Sequence, residues 1–263
     1  METEETVKEE CVAMSKTKRI WLAFVDIVLF TVLFMIFLFL FAIPFAIAFP
    51  ELKTQAGRMS VYLMMLNEVL MLASGLIAAC MVLGFRKLSF SGLGLSLKGW
   101  GRSLLNGALF VVFLYAVGFG LSLLLGAVEV AGVLFSPISL LSSLLLYFLV
   151  AVTEEVIGRG FILGRMLDGG VNKFVALLIS AVLFSLMHLF NPSFAFVPFL
   201  NIMLAGCFLG ASYIYTRNLC VPIALHWFWN WIQGSVLGYK VSGNEFSNKN
   251  LLILHFPEEN LIN

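Results

Sequence analysis

Charged residues are scarce in this chain of 263 residues, because Asp, Glu, Lys and Arg together make up only 12% of it. Soluble domains carry about a quarter charged residues, so this chain has too few of them to cover a water-exposed surface. Hydrophobic residues account for 61% of the sequence, and the mean hydropathy is +1.01. These values argue against a water-soluble enzyme and predict a polytopic membrane protein.

Several other features are absent, and each absence excludes a class of protein. The net charge is only +1, so a basic surface that binds nucleic acid is not expected. The cysteines show no C-x-x-C spacing, which argues against a disulfide framework and against a cysteine metal site. The four cysteines are Cys11, Cys80, Cys207 and Cys220, and we expect at least the last three to be small buried side chains. The sequence has no G-x-S-x-G motif, so a serine nucleophile is not marked.

Long apolar runs predict an all-α polytopic bundle of about seven transmembrane helices around an intramembrane polar cavity. The first run, Ile20 to Phe49, is too long for the roughly 7–15-residue core of a cleavable signal, so we expect it to be retained. Its one charge, Asp26, is expected to pair with Lys or Arg. Further runs near the roughly 20 residues that cross a bilayer fall at about 61–85, 103–128, 138–163, 172–190, 194–216 and 220–239. An eighth hydrophobic or re-entrant element is the alternative.

The chain is predicted to form a single integrated membrane domain. Its parts are an N-terminal tail with three helices (1–137), a core (138–240) and a C-terminal tail (241–263). Every second connection between spans is basic, including the flank before Ile20 and the turn near 159–173. Because basic loops stay in the cytoplasm, the N-terminus is predicted to be cytoplasmic. With seven helices the C-terminal tail would lie on the other side.

A few polar side chains interrupt the late apolar spans. Glu154 and Glu155 end a long uncharged stretch, and Arg159 follows one helical turn later. The next spans contain His188, and then His226 with Asn230 four residues on. A lone His or Asn in a membrane is more often a hydrogen-bonding link between helices, and a Glu–Arg pair can be purely structural. Five ionisable groups, however, would cost several kcal/mol each unless they shared a polar cavity, which favours a functional site.

The spacing of these residues predicts how they meet. Glu155 and Arg159 lie four residues apart and share a helix face, so we expect an ion pair between them. Glu154 points about 100° away, so we expect it to face a water-filled cavity, although the two glutamates could exchange roles. His226 and Asn230 project together from one face. An acid that activates water, imidazoles that move protons and an amide that stabilises an oxyanion form a hydrolytic set.

Four further expectations concern the surroundings of this set. Phe184 should pack beside His188. Glu68 is expected to be structurally paired or interfacial. The aromatic cluster is expected to form an interfacial or packing belt rather than a binding site; its members are Trp227, Phe228, Trp229 and Trp231. The fourth helix is expected to extend to about Leu167, because Glu154 would otherwise lie at a different level from His188.

Three short motifs together resemble a known family. Residues 154–159, EEVIGR, fit E-E-x-x-x-R, residues 184–188, FSLMH, fit F-x-x-x-H, and residues 226–230, HWFWN, fit H-x-x-x-N. In this order on successive spans, over residues 150–232, they resemble the CAAX protease and bacteriocin-processing family of intramembrane endopeptidases. This family includes the eukaryotic type II CAAX prenyl protease and many bacterial homologues.

The resemblance implies roles for the motif residues. Glu154 and His188 would activate water, while His226 and Asn230 would stabilise the oxyanion. Glu155 and Arg159 would support them. It also implies a peptide or protein substrate met within the lipid bilayer, and we expect the plasma membrane of a bacterium.

The sequence leaves open whether the site holds a metal ion, and it allows two functions other than proteolysis. No H-E-x-x-H motif marks a thermolysin-like zinc site, yet Glu154, His188 and His226 are candidate ligands for one divalent ion such as zinc. The main alternative function is a non-catalytic bacteriocin immunity or scaffold protein that binds a peptide in the same cavity. A transporter or proton relay is a third possibility, but the halves of the sequence show no repeat.

Overall fold

The computed structural model describes residues 14–50, 60–96, 98–244 and 249–257. Cys11, the acidic start of the N-terminal tail and the last six residues therefore lie outside the described residues. The described part contains seven helices and one small two-stranded sheet, which confirms the predicted all-α bundle.

The helices follow the predicted apolar runs closely. They are α1 (Lys16–Ala48), α2 (Val61–Phe85), α3 (Trp100–Leu124), α4 (Pro137–Asp168), α5 (Lys173–Leu186), α6 (Phe196–Thr216) and α7 (Cys220–Trp231), which continues as a π-helical turn (Ile232–Val236). In the described residues, five helices are long and apolar enough to cross a membrane, namely α1, α2, α3, α4 and α6. The helices α5 and α7 have 14 and 12 residues, so they are only about 21 and 18 Å long.

Several helices begin where a short polar side chain satisfies their first backbone N–H groups. Ser15 caps α1, Ser60 caps α2 and Ser136 caps α4, each by accepting a hydrogen bond from a backbone N–H three residues later. Asn172 caps α5 by accepting one from the N–H of Phe174 at 2.9 Å. These caps fix the ends of the helices that carry the polar residues.

The length of α4 sets the level of Glu154 in the bundle. This helix runs for 32 residues to Asp168, which confirms the predicted extension beyond residue 163. Glu154 therefore lies about 21 Å from the end of α4, at about 1.5 Å per residue. His188 lies at a similar distance, about 22 Å, from the start of α5, and the short connection at 169–172 makes the two helices antiparallel. The two residues thus reach the same level.

The predicted extent of the fifth span was wrong at its end. The helix stops at Leu186, and the residues from Met187 to Phe190 form turns, so His188 lies just beyond α5. Its backbone N–H donates to the carbonyl of Ser185 at 3.1 Å. This tightened end aims the imidazole back toward α4.

A short 3-10 turn, Phe90–Leu93, packs against α4 and sets where α7 begins. The turn approaches Gly160 so closely that a Cβ there would lie 3.2 Å from the carbonyl oxygen of Leu93, which explains the glycine. The N–H of Leu219 donates to the carbonyl of Gly94 at 3.0 Å. Because Gly160 lies about 12 Å before the end of α4, α7 begins inside the bundle, and His226 reaches the level of Glu154.

The main hydrophobic core lies where α1 and α2 meet the second half of α4. Phe30 stacks on Phe161 with 4.1 Å between ring centroids, and Val82, Leu163 and Met166 are fully buried beside them. This packing holds α4 firmly behind the polar residues.

Asp26 is fully buried and pairs with two arginines. Its Oδ1 accepts from Nε of Arg86 at 2.6 Å, and its Oδ2 accepts from Nη2 of Arg165 at 2.8 Å. The prediction that Asp26 pairs with a basic residue is therefore confirmed, with partners from α4 and from the connection after α2. Asp26 thus joins α1, α2 and α4.

The small sheet was not expected in an all-α bundle. The strands β1 (Glu129–Val133) and β2 (Leu252–His255) pair antiparallel, with Glu129 opposite His255 and a bulge between Val130 and Gly132. The segment after α7 therefore lies on the same side of the bundle as the connection between α3 and α4. An odd number of helices, seven, places these two segments on one side. Among the cysteines, Cys220 is buried and Cys207 is half-buried, but Cys80 is exposed, so its predicted burial was wrong.

Candidate active site

Glu154 faces two imidazoles at once. Its Oε1 lies 3.8 Å from Nε2 of His188, and its Oε2 lies 3.8 Å from Nε2 of His226. These distances are too long for direct hydrogen bonds, but a water molecule between the three groups could bond to all of them. The Glu154 side chain is 15% exposed, whereas Glu155 is fully buried, so Glu154 is the carboxylate that water can reach.

The orientation of His188 is set by its own helix end. Nδ1 of His188 lies 2.9 Å from the carbonyl oxygen of Phe184. A carbonyl only accepts, so Nδ1 carries the hydrogen, and in the neutral ring Nε2 keeps a lone pair directed at Glu154. The Phe184 ring packs beside the imidazole with 5.1 Å between centroids, as predicted from the sequence.

His226 lies between the two glutamates. Its Nδ1 donates to Oε1 of Glu155 at 2.8 Å, while its Nε2 faces Glu154. A carboxylate partner on Nδ1 fixes the ring and its tautomer. Glu155 thereby orients a histidine that contacts the same space as Glu154.

Glu155 and Arg159 form the ion pair predicted from their spacing. Nη1 of Arg159 donates to Oε1 of Glu155 at 2.9 Å, and both side chains are fully buried. Nη2 donates to the carbonyl of Gly206 on α6 at 3.2 Å, and the guanidinium carbon lies 4.1 Å from the centroid of the Phe184 ring. Arg159 thus fixes Glu155 and joins α4 to α5 and α6.

A π-helical segment within α4, Val156–Leu163, surrounds Arg159. Such segments are rare and often occur at functional sites, because their i→i+5 hydrogen bonds widen the helix locally. Every residue of this segment is buried, and Ser180 on α5 donates to the carbonyl of Gly158 at 3.3 Å. In the turn that follows Glu155 in the chain, the widened helix lies close to α5.

Asn230 and His226 line one cavity of about 650 Å³ between α6 and α7. The side chain of Asn230 forms no hydrogen bond with the described residues, so its amide is available to a molecule in the cavity. Phe184, Leu204, Phe208 and Trp229 provide much of the apolar wall. This volume is typical of sites that bind small molecules or peptide segments.

The predicted packing of the aromatic cluster at 227–231 is confirmed, because its four members pack against the hydrophobic core. The indole N–H groups of Trp227 and Trp231 donate to the α4 carbonyls of Leu144 and Leu140, so these two residues join helices. Trp229 packs against Tyr115 and Phe208 and also lines the cavity, which the sequence did not indicate.

Glu68 on α2 is the residue near the site that the sequence did not assign. Thr153, beside Glu154, donates to the backbone carbonyl of Glu68 at 3.4 Å. The Glu68 carboxyl interacts electrostatically with that of Glu154, and its Oε2 is buried with no hydrogen-bond partner among the described residues. No ion pair of Glu68 is found among the described residues, and its interfacial position stays a prediction. A charge in an apolar run was the available signal, but the sequence does not reveal that α2 lies against α4.

The three candidate metal ligands, Glu154, His188 and His226, face a common space. Each imidazole approaches a different carboxylate oxygen of Glu154, and Nδ1 of His226 is bound to Glu155. Among the described residues, no group of three or more His, Cys, Asp and Glu side chains is arranged to hold a metal ion.

Comparison with known proteins gives one match. Residues 135–232 match the family model described as Type II CAAX prenyl endopeptidase Rce1-like. This segment contains all three motifs and confirms the predicted resemblance to the CAAX protease and bacteriocin-processing family. No curated protein and no solved structure matches the chain.

Proposed function

We propose that this protein is an intramembrane endopeptidase that cleaves a peptide bond with a water molecule activated by Glu154 and His188. The observation that carries the proposal is the pair of imidazole Nε2 atoms, each 3.8 Å from the same carboxylate, that of Glu154. The match of residues 135–232 to an endopeptidase family supports it independently.

In the proposed reaction, water held between Glu154 and His188 attacks the carbonyl carbon of the scissile bond. Its proton passes to Glu154 as the carbon–oxygen bond forms. The carbon–nitrogen bond then breaks, and the leaving amine takes this proton from Glu154. Neutral His188 accepts the second hydrogen bond of the water through Nε2, so the oxygen lone pair points toward the substrate.

The developing oxyanion is stabilised by His226 and Asn230. They lie one turn apart on α7 and line the same cavity. The Asn230 amide donates without a competing partner among the described residues, and protonated His226 donates through Nε2. Donors that are fixed before the reaction stabilise a transition-state charge strongly, because they need no reorganisation.

Glu155 and Arg159 position these groups. Glu155 holds the ring of His226, and Arg159 holds Glu155 and the backbone of α6. Neither residue needs to contact the substrate. No step of this mechanism is routed through a metal ion.

The test is a peptide-cleavage screen with the protein purified in detergent. Glu154→Gln and His188→Ala should abolish cleavage while the melting temperature stays near that of the wild type. Glu129→Gln is the matched control, because Glu129 is an exposed carboxylate on β1, away from the site. Wild-type turnover in either site variant would exclude the water-activation mechanism. Peptide binding without any cleavage by the wild type would favour an immunity or scaffold protein instead.

A further inference from the structure

Asn201 is a polar side chain with no assigned role in the first half of α6. This helix is one of the five long apolar helices, and Asn201 stands between Leu200 and Ile202. Its side chain is exposed into the same cavity that His226 and Asn230 line. An amide in an apolar environment is costly unless it finds a hydrogen-bond partner, and Asn201 has none among the described residues.

The other large amide of the cavity is already committed. Oε1 of Gln233 accepts from the Tyr115 hydroxyl at 2.8 Å and from the Trp229 indole at 3.0 Å. Nε2 of Gln233 donates to the carbonyl of Lys240 at 2.6 Å. Gln233 therefore builds the wall, and the uncommitted amides of the cavity are Asn201 on α6 and Asn230 on α7.

The face of α6 around Asn201 fits an apolar peptide. Asn201, Ala205 and Phe208 recur at i, i+4 and i+7, so they form one stripe along the cavity. An asparagine amide offers both a donor and an acceptor, which matches the C=O and N–H of a peptide main chain. The stripe therefore combines one main-chain binding group with space for apolar side chains.

We infer that Asn201 binds the main chain of an extended, apolar substrate segment in this cavity, across from Asn230. The inference rests on the proposed endopeptidase function and adds a substrate-binding residue to it. Its effect differs in kind from that of Asn230. Asn230 acts on a charge that exists only in the transition state, whereas Asn201 holds the substrate equally before and during the reaction.

This difference is measurable as a split between KM and kcat. Asn201→Leu keeps the branching of the side chain at Cγ and removes its hydrogen-bonding groups. It should raise KM about fivefold with kcat nearly unchanged, the effect of one lost hydrogen bond of about 1 kcal/mol. Asn106→Leu is the matched control, because Asn106 is also exposed on a long apolar helix, α3, but does not line the cavity. Equal KM values for the two variants would overturn the inference. Melting temperatures of both variants show whether each is folded.

A second measurement identifies the atoms involved. Peptide substrates in which one main-chain amide is replaced by an ester lose a single N–H donor. At one position the ester should weaken wild-type binding about fivefold and should leave Asn201→Leu unaffected. Equal losses in both proteins at every position would show that Asn201 does not contact the main chain.

The inference and the proposed function can fail separately. If the wild type cleaves no peptide, the proposed function fails, and binding is then measured by the fluorescence anisotropy of a labelled peptide of alternating leucine and alanine. Binding that Asn201→Leu weakens and Asn106→Leu does not would retain the inference. No binding, or binding that is insensitive to Asn201→Leu, would overturn it.

Discussion

Replacing Arg159 by alanine should destabilise the protein more than any change to its exposed charges. Arg159 is fully buried and makes a 2.9 Å ion pair with Glu155, a 3.2 Å hydrogen bond to Gly206 and a cation–π contact with Phe184. Without Arg159, the carboxylate of Glu155 stays buried with only His226 as a partner. Removing one partner of a buried pair typically costs about 3–5 kcal/mol. We expect this loss in the free energy of unfolding, measured in detergent, together with loss of cleavage.

Two companion variants test the cause of that loss. Arg159→Lys should restore the stability only in part, because an ammonium cannot reach Glu155 and Gly206 together as the planar guanidinium does. Adding Glu155→Gln to Arg159→Ala should recover stability, because no unpaired carboxylate is then left behind.

The matched control is Arg217→Ala, which removes a surface ion pair with Asp168. Their side chains are 46% and 35% exposed, so this change should cost no more than about 1 kcal/mol. An Arg159→Ala protein as stable as Arg217→Ala would refute the view that Arg159 acts by holding Glu155. A stable but inactive Arg159→Ala protein would instead make Arg159 a group that contacts the substrate.

Three further outcomes are expected. Asn230→Ala should lower kcat by about 10²–10³ with little change in KM, since it removes one oxyanion donor, and an unchanged kcat would remove Asn230 from the site. Incubation with metal chelators should leave cleavage intact, because the proposed mechanism activates water with Glu154 and His188 alone; a loss that zinc reverses would contradict this. Glu68→Gln should raise the melting temperature without abolishing cleavage, since Oε2 of Glu68 is buried with no hydrogen-bond partner among the described residues and the amide is neutral. A lower melting temperature would contradict this.

The site residues could be predicted because their relations are local. The pairing of Glu155 with Arg159 and the shared cavity of His226 and Asn230 follow from a spacing of four residues in a helix. The position of Glu154 along the bundle axis could also be predicted, because an α4 that extends to about Leu167 brings Glu154 to the depth of His188. These inferences need only helical geometry and the high cost of isolated charges in an apolar environment.

Contacts between helices that are distant in the sequence could not be predicted from residue spacing. Nothing in the sequence places Glu68 against Glu154, or Asn201 across from Asn230, because apolar helices pack without a pairing code that spacing reveals. The π-helical turns of α4 were also missed, since the glycines that accompany them are common in membrane helices. The pairing of β1 with β2 joins segments more than a hundred residues apart and leaves only weak local signals.

That pairing also bears on the order in which the protein matures. Leu251, in the segment that follows α7, forms two backbone hydrogen bonds. Its N–H donates to the carbonyl of Ser235, and its carbonyl accepts from the N–H of Leu134, just before α4. The four site-bearing helices therefore lie between two stretches of chain that fasten to each other. Leu251 follows all seven helices in the sequence, so these hydrogen bonds can form only after every helix has been synthesised. A nascent chain that stops before Leu251 has all the motif residues but lacks this contact between the segments on either side of the site-bearing helices.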